Sequence, residues 1–455
     1  MPKETLKNLK ETKEGGKLKM KKCLKTKNGI TLIALVVTIV VLLILAGVSI
    51  SLVLDKNGII QKSKDARREY GQAKANEQED LSNLSDMIEE ATAEPPPKVD
   101  VNTKAGDNST INGKKGNSNN PTIPKNYIPI DTATSTWGDG STAPSQDSVN
   151  HGLVIKDEKN NEWVWVPVDS ATLATMYETS SDEKTLCGTT GETAVKTKLY
   201  SKTITIGTDS DKTTMTRTTP GTSDDYREPD LVVGSDGVGL DAKDTYYKTI
   251  LGETGTKEQL AQLFVDEYKA MIESVSKYGG FYIGRYELSE AGVQKDKATL
   301  TRTSWYNLYK KCTELQASDK VETRMIWGCQ WDVACNFIAN KGDKKSITDS
   351  SSWGNYYGTS VKADDGKTEL KASGTSAKLN TGKTTFTMAN NIYDLAGNLY
   401  EWTQEAIHTF GRASRGGYYG NDGSDSPASV RIDNNPAFSI SDDKRFSSNF
   451  NNKVG

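Results

Sequence analysis

Near the C-terminus, Asp394-Leu395-Ala396-Gly397-Asn398-Leu399-Tyr400-Glu401 places two carboxylates on either side of a glycine-asparagine turn. Carboxylates with backbone carbonyls between them form an all-oxygen donor set, which suits a hard cation such as Ca²⁺. The same spacing describes a tight turn whose acids are solvated, and the residues alone leave both readings open. Downstream, Tyr418 to Asn449 is dense in Tyr, Asn, Asp and Ser with little to bury. That mixture offers rigid aromatic contact area and adaptable hydrogen bonding, as binding loops do; an ordinary bundle of polar loops has the same composition. Redox and metal chemistry find few carriers. The five cysteines, Cys23, Cys187, Cys312, Cys329 and Cys335, are spaced too irregularly for a disulfide framework or a paired-cysteine zinc site. Cys312, Cys329 and Cys335 fall in helical patterns where a small buried thiol is the commoner role, a 312 to 335 disulfide being the alternative. Two histidines, His151 and His408, exclude a three-histidine metal centre. No nucleophile stands beside a base, and Arg415-Gly416-Gly417 reads as a glycine turn ahead of a strand.

These residues must be positioned by a chain of 455 residues, more than one core usually serves. Only 35% are hydrophobic and the mean hydropathy is −0.61, so much of the length is linker or polar loop. The net charge of −3 conceals a basic start, with Lys3, Lys7, Lys10, Lys13, Lys17, Lys19, Lys21, Lys22, Lys25 and Lys27. The remainder is acidic, which argues against nucleic acid as a partner, because neutralising phosphates needs a concentrated basic face.

Residues 1–29 therefore read as a basic cytoplasmic leader. Ile30 to Leu54 contains no charge and is long enough to span a bilayer as a single helix. The lysines before it predict a cytoplasmic N-terminus and an extracellular C-terminal domain in the cell membrane. Residues 55–93, rich in Glu, Lys, Gln and Ala with sparse Leu81, Leu84 and Ile88, predict a helical stalk. Glu94-Pro95-Pro96-Pro97 ends it. Residues 94–126, mostly Asn, Gly, Ser, Thr and Lys, predict a disordered linker, since they offer little to offset ordering entropy.

A globular domain is expected over 127–455. Glu162 to Val168 reads as a strand, 179–239 as a polar surface insertion with a hairpin near Lys202 to Ile206, and Thr256-Lys257-Glu258-Gln259 as a capping box opening a helix that Gly279 ends. Phe281 to Leu288 predicts a strand, followed by helices around Ser304 to Leu315 and Ile326 to Ala339. Asn390 to Ala406 predicts a turn feeding a strand, and Arg412 to Arg431 another.

The ordered set Trp163–Val168 (WVWVPV), Gly279–Ser289 (GGFYIGRYELS), Ser304–Cys312 (SWYNLYKKC), Ile326–Phe337 (IWGCQWDVACNF), Asn391–Thr403 (NIYDLAGNLYEWT) and Ser414–Gly420 (SRGGYYG), then Pro427–Arg431 (PASVR), resembles the formylglycine-generating-enzyme, or sulfatase-modifying-factor, superfamily. The resemblance covers 150 to 455 apart from the insertion. It implies an α+β, C-type-lectin-like fold, and it implies that Asp394, Gly397, Leu399 and Glu401 match the family's calcium loop. The family's copper chemistry uses a cysteine pair in the C-terminal part, and no cysteine follows Cys335, so neither a copper nor an iron site is expected and the chain is expected not to be an enzyme.

Some members of this family are diversified by retroelements near the C-terminus. That resemblance implies a ligand-facing set of Tyr418, Tyr419, Asn421, Asp422, Ser424, Asp433, Asn434, Asn435 and Phe438, for an extracellular protein or glycan. Lys27 to Ile33 resembles a type IV prepilin cleavage signal, with the cut between Gly29 and Ile30, which implies a prepilin peptidase and pilin subunits as partners. Ala34 stands where pilins usually carry glutamate, which puts filament assembly in doubt. The expected function is a surface-displayed, membrane- or pilus-anchored receptor or adhesin. A divergent enzyme of the superfamily and a minor pilin or pseudopilin are the alternatives.

Overall fold

The computed structural model describes residues 37–43, 94–170, 172–173, 179–187, 195–200, 204–206, 213–215, 226–229, 246–316, 318–407, 411–434, 446–448 and 450–454. Two compact units divide between Ala93 and Glu94. Of the first, residues 37–43 form a helical run of seven residues whose large apolar side chains are exposed. Among the described residues no helix is long and apolar enough to cross a membrane. The expected transmembrane helix at 30–54 is corrected accordingly, and the membrane localisation drawn from it goes with it. The stalk at 55–93, Gly29 and Ile30 lie outside the described residues.

The second unit, Glu94 to Gly455, mixes helices with mainly antiparallel sheets. Its six-stranded sheet runs in the order Ile128–Ile130, Val154–Lys156, Glu162–Pro167, Gly280–Gly284, Phe450–Val454, Val321–Met325. Trp163, Val164, Trp165 and Val166 are all buried, so this strand is covered on both faces, which a run of four apolar residues permits and strict alternation would not.

The helix Lys257–Tyr278 begins with the capping box at Thr256 and Gln259 and ends at Gly279, whose φ of 73° is the left-handed cap that glycine adopts without strain. It buries Leu260, Phe264, Tyr268, Met271 and Val275 at helical spacing. Phe264 meets Trp305 edge to face at 5.9 Å, and Trp305 stacks on Tyr309 at 5.3 Å within the helix Trp305–Thr313.

The linker expectation for 94–126 is overturned. Val99, Ala105, Ile111 and Ile123 are buried, Trp165 Nε1 donates to Ser118 O at 2.8 Å, and Tyr282 Oη donates to Thr122 O at 3.1 Å. The asparagines that argued for disorder order the segment. Asn117 Oδ1 accepts from the amides of Asn119 and Asn120, and Asn120 Nδ2 donates to Asn112 Oδ1 and the carbonyls of Lys114 and Lys115. Side-chain amides here supply the backbone partners that a regular ladder would otherwise give, and composition does not reveal that.

The described parts of the 179–239 insertion include two hairpins, Thr179–Cys187 with Val195–Tyr200 and Ile204–Ile206 with Thr213–Met215. It rejoins the core through Tyr226–Arg227, which pairs with Ile407 and Ala406, and through buried Glu228, which accepts from the amides of Gly328 and Cys329. That carboxylate satisfies amides at the start of the helix Gly328–Asn340, where their partial charge is positive.

The second sheet runs Arg431–Asn434, Gly411–Arg415, Tyr400–Ile407, Phe446–Ser448, the last pairing parallel. At its base lies a buried square of charges. Arg415 Nη2 donates to Asp332 Oδ1 at 2.9 Å and Arg431 Nη2 to Asp332 Oδ2; Arg431 Nε donates to Glu405 Oε2 at 3.1 Å, and Arg415 Nη1 lies 3.7 Å from the same oxygen. Arg415 also donates to Val430 O at 2.6 Å and Ser429 O at 3.2 Å. Removing one member leaves an uncompensated charge in a dry site, so Asp332→Ala is expected to cost about 3–5 kcal/mol of stability. A urea titration checks this, and a loss under about 1 kcal/mol, the range of an exposed pair, would show that the square is not what holds this sheet.

Candidate binding site

Residues 416–430 form a loop whose stems are the two arginines of the square. Gly416 and Gly417 leave Arg415 with φ of 85° and 77°, and a Cβ on Gly417 would sit 2.3 Å from Ser426 O, so both glycines are required by the backbone path. The loop is then fastened along its length to the segment 347–357. Ser350 N donates to Gly423 O at 3.0 Å, Tyr357 N to Asn421 O at 2.9 Å, Ser429 N to Ile347 O at 3.1 Å, and Ala428 N to Ser350 Oγ at 3.1 Å. Within it, Asn421 Oδ1 accepts from Tyr418 N at 3.0 Å, and Asp422 Oδ1 accepts from the amide and hydroxyl of Ser424 at 2.9 and 2.7 Å. These bonds to Ser424 hold the exposed Asp422 carboxyl below its ordinary range.

Tyr418, Tyr419 and Asn421 are half-buried, while Asp422 and Ser424 are exposed. Tyr418 lies 5.5 Å from the Tyr400 ring and 5.3 Å from Tyr419. The structure therefore brings together five of the nine expected ligand-facing residues. Asp433 and Asn434 stand instead on the strand after the loop, where Asn434 Nδ2 donates to Ser414 Oγ at 2.7 Å. Asn435 and Phe438 lie outside the described residues.

Beneath the loop sits the turn 394–398, where Asp394, Gly397 and Asn398 have φ of 59°, 73° and 54°; aspartate and asparagine tolerate this region better than other side chains. Asn398 joins the two levels. Its carbonyl accepts from Tyr419 N at 3.0 Å, while its side chain accepts from Asn355 Nδ2 and Leu379 N and donates to Glu287 Oε2.

Asp394, Glu401 and Glu287 are all buried. Asp394 Oδ2 accepts from Thr381 Oγ1 and Gly382 N, and Thr299 Oγ1 supports Glu287 Oε2. Glu287 Oε1 and both oxygens of Glu401 have no partner. Burial raises the Glu401 and Glu287 carboxyls well above the ordinary 4.5, and each is raised further by the charge of its neighbours, Asp394 included. Burial raises Asp394 as well.

Unpaired carboxylate oxygens in a dry site either bind protons or face a cation. Among the described residues no three His, Cys, Asp or Glu groups converge closely enough to hold one ion. Glu287, which the sequence reading did not single out, is a third buried carboxyl whose charge is coupled to the other two; in the sequence it is one of two charged residues, with Arg285, in the expected strand Phe281 to Leu288.

No family model and no curated protein matches the chain. Among the solved structures that match is Treponema denticola variable protein 1, at 17% identity, with 38% of this chain and 85% of that chain covered and a TM-score of 0.25.

The raised carboxyls give a pH dependence of definite sign. An acid whose pKa is higher in the folded than in the unfolded chain binds more protons when folded. Its contribution is thus fullest below the unfolded value, near the ordinary 4.5, and is lost as pH rises toward the folded one. With chelator present, melting temperature should fall as pH rises from about 5 to about 8, and Glu401→Gln should flatten that slope. A slope unchanged in the variant would show that Glu401 is not the group responsible.

Proposed function

We propose that this chain is a ligand-binding protein, not an enzyme, and that the loop 416–430 is its recognition surface. The observation that carries this reading is the separation of roles within the loop. Its backbone is held by the arginine stems, by hydrogen bonds to 347–357 and by the Asn421 and Asp422 side chains, and Tyr418 packs on the core, whereas Tyr419 is half-buried and Asp422 and Ser424 are exposed at the surface. A backbone fixed before binding loses little entropy when a ligand arrives, and side chains of this kind give contact area and hydrogen bonds.

Against catalysis stands the burial of Cys312, Cys329 and Cys335, none of which is in a disulfide. Burial pushes Cys335 up to about 12, far from the thiolate that nucleophilic, redox or copper chemistry requires. Ca²⁺ is proposed as a structural partner of Asp394, Gly397, Leu399 and Glu401, neutralising the buried acids and fixing the turn on which Tyr419 rests.

A fixed frame with replaceable contacts is also what a diversified binder requires, and we extend the proposal to retroelement-directed variation of this loop. Sequencing the 3′ end of the gene across related isolates tests it. Substitutions are expected to cluster at adenine-bearing codons from Tyr418 onward while Arg415, Gly416, Gly417 and Arg431 stay fixed. An invariant loop would remove the diversification and leave a fixed-ligand protein. For calcium, the melting temperature should rise on adding Ca²⁺ to chelated protein and should not respond in Glu401→Gln; a wild-type protein indifferent to Ca²⁺ would remove the metal from the proposal.

A further inference from the structure

A cleft of about 240 Å³ is lined from four stretches of the second unit: Ser118 with Asn119, the helix Gln146–Asn150, the end of the strand Glu162–Pro167 with residues just after it, and the helix Gly328–Asn340 with Lys341. It shares no lining residue with the loop 416–430 or with the segment 347–357. Five of its lining side chains are primary amides, Asn119, Gln146, Asn150, Asn336 and Asn340. The two charged ones, Asp169 and Lys341, have opposite signs, and Asp169 Oδ1 is engaged by Thr172 N at 2.7 Å.

Four of the amides are locked in pairs. Gln146 Nε2 donates to Asn150 Oδ1 at 3.1 Å, and Asn340 Nδ2 donates to Asn336 Oδ1 at 2.7 Å, each pair four residues apart on its own helix. Each lock leaves the remaining carbonyl oxygen, of Gln146 or Asn340, and the remaining amino group, of Asn150 or Asn336, without a protein partner among the described residues. The backbone sets the two pairs against each other. Gly342, with φ of 54°, brings the chain after the second helix so close to the end of the first that a Cβ there would stand 2.5 Å from Asn150 O. The other walls are fixed as well, Ser118 O accepting from Trp165 Nε1, and Phe337 O and Lys341 O from Asn390 Nδ2.

A fixed acceptor paired with a fixed donor matches hydroxyl groups, because each hydroxyl both donates and accepts. An ion would leave one member of each pair unanswered. An extended peptide needs a longer groove than this cleft, which falls below the range of about 300–1,000 Å³ that holds drug-sized ligands. Pro167, Val333 and Phe337 complete the lining with apolar surface, which suits the C–H face of a saturated ring. We propose that this cleft is a second binding site, separate from the loop, and that it takes one neutral sugar residue through neighbouring hydroxyls read by the Gln146–Asn150 and Asn336–Asn340 pairs. Side chains already bonded to each other lose little rotamer freedom when the sugar arrives.

The test is saturation-transfer NMR on the full chain with the methyl glycosides of glucose, galactose, mannose and N-acetylglucosamine, and with a neutral glycine-serine peptide beside them. At least one glycoside is expected to bind, with an affinity indifferent to salt because the contact is between neutral groups. Gln146→Ala and Asn336→Ala, checked for unchanged melting temperature, should each weaken that binding about tenfold or more. Asn336→Asp, which keeps the shape and removes the donor, should weaken it likewise. Failure of all four glycosides to bind, or binding that persists in both alanine variants, overturns the inference. Binding that falls in Tyr419→Ala while Asn336→Ala binds normally also overturns it and moves the sugar to the loop. A peptide that binds where the sugars do not, and is lost in Asn336→Ala, would show that the cleft reads peptide backbone and not sugar.

Discussion

Four buried charges hold the two ends of the loop 416–430 in place. Asp332, Glu405, Arg415 and Arg431 come from a helix and three adjacent strands, and side-chain exposure within the square runs from 0% to 7%. Such a cluster gains little net stability over well-packed apolar residues, because desolvation offsets most of the attraction. What it specifies is geometry. Each arginine has a fixed fork of donors, each fork needs its carboxylate at one place, and the two arginines are the residues on either side of the loop. The distance and direction between the loop's two ends are therefore set from below.

Much of this was legible before any coordinates. Arg415-Gly416-Gly417 read as a glycine turn ahead of a strand, and both glycines take positive φ. The capping box at Thr256, the glycine stop at Gly279 and the helical spacing from Leu260 to Val275 were local signals with local causes, and they placed that helix to within a residue. What the spacing did not show was the partners. Asp332 lies 83 residues before Arg415 on a helix whose other buried positions are apolar except for Gln330. Nothing near it in sequence distinguishes a buried ion pair from a polar residue at a helix surface. Glu287 was hidden in the same way, its role depending on a turn more than a hundred residues further along.

The errors have a common origin in composition. Residues 94–126 were judged by how little they could bury, yet four well-placed apolar side chains and a set of amides bonded to backbone suffice to order them. Residues 30–54 were judged by how apolar they are, and among the described residues no helix is long and apolar enough to cross a membrane. The asparagines of both the ordered segment and the 390–398 turn share one physical property, that the side chain can replace a backbone partner and tolerate left-handed φ. That property makes the same residue a mark of disorder in one context and of a fixed turn in another.

The strand Phe450–Val454 lies between Gly280–Gly284 and Val321–Met325, so the six-stranded sheet is completed by residues that follow the loop in the chain. Order of synthesis gives this a consequence. The sheet cannot close until the ribosome has passed through the loop and out the other side, and pairings this distant in sequence form late in folding. A frameshift or stop codon arising within the loop would leave Gly280–Gly284 and Val321–Met325 with the unpaired edges that invite aggregation and degradation. A chain altered in the loop can therefore close this sheet only in a reading frame that also delivers Phe450–Val454.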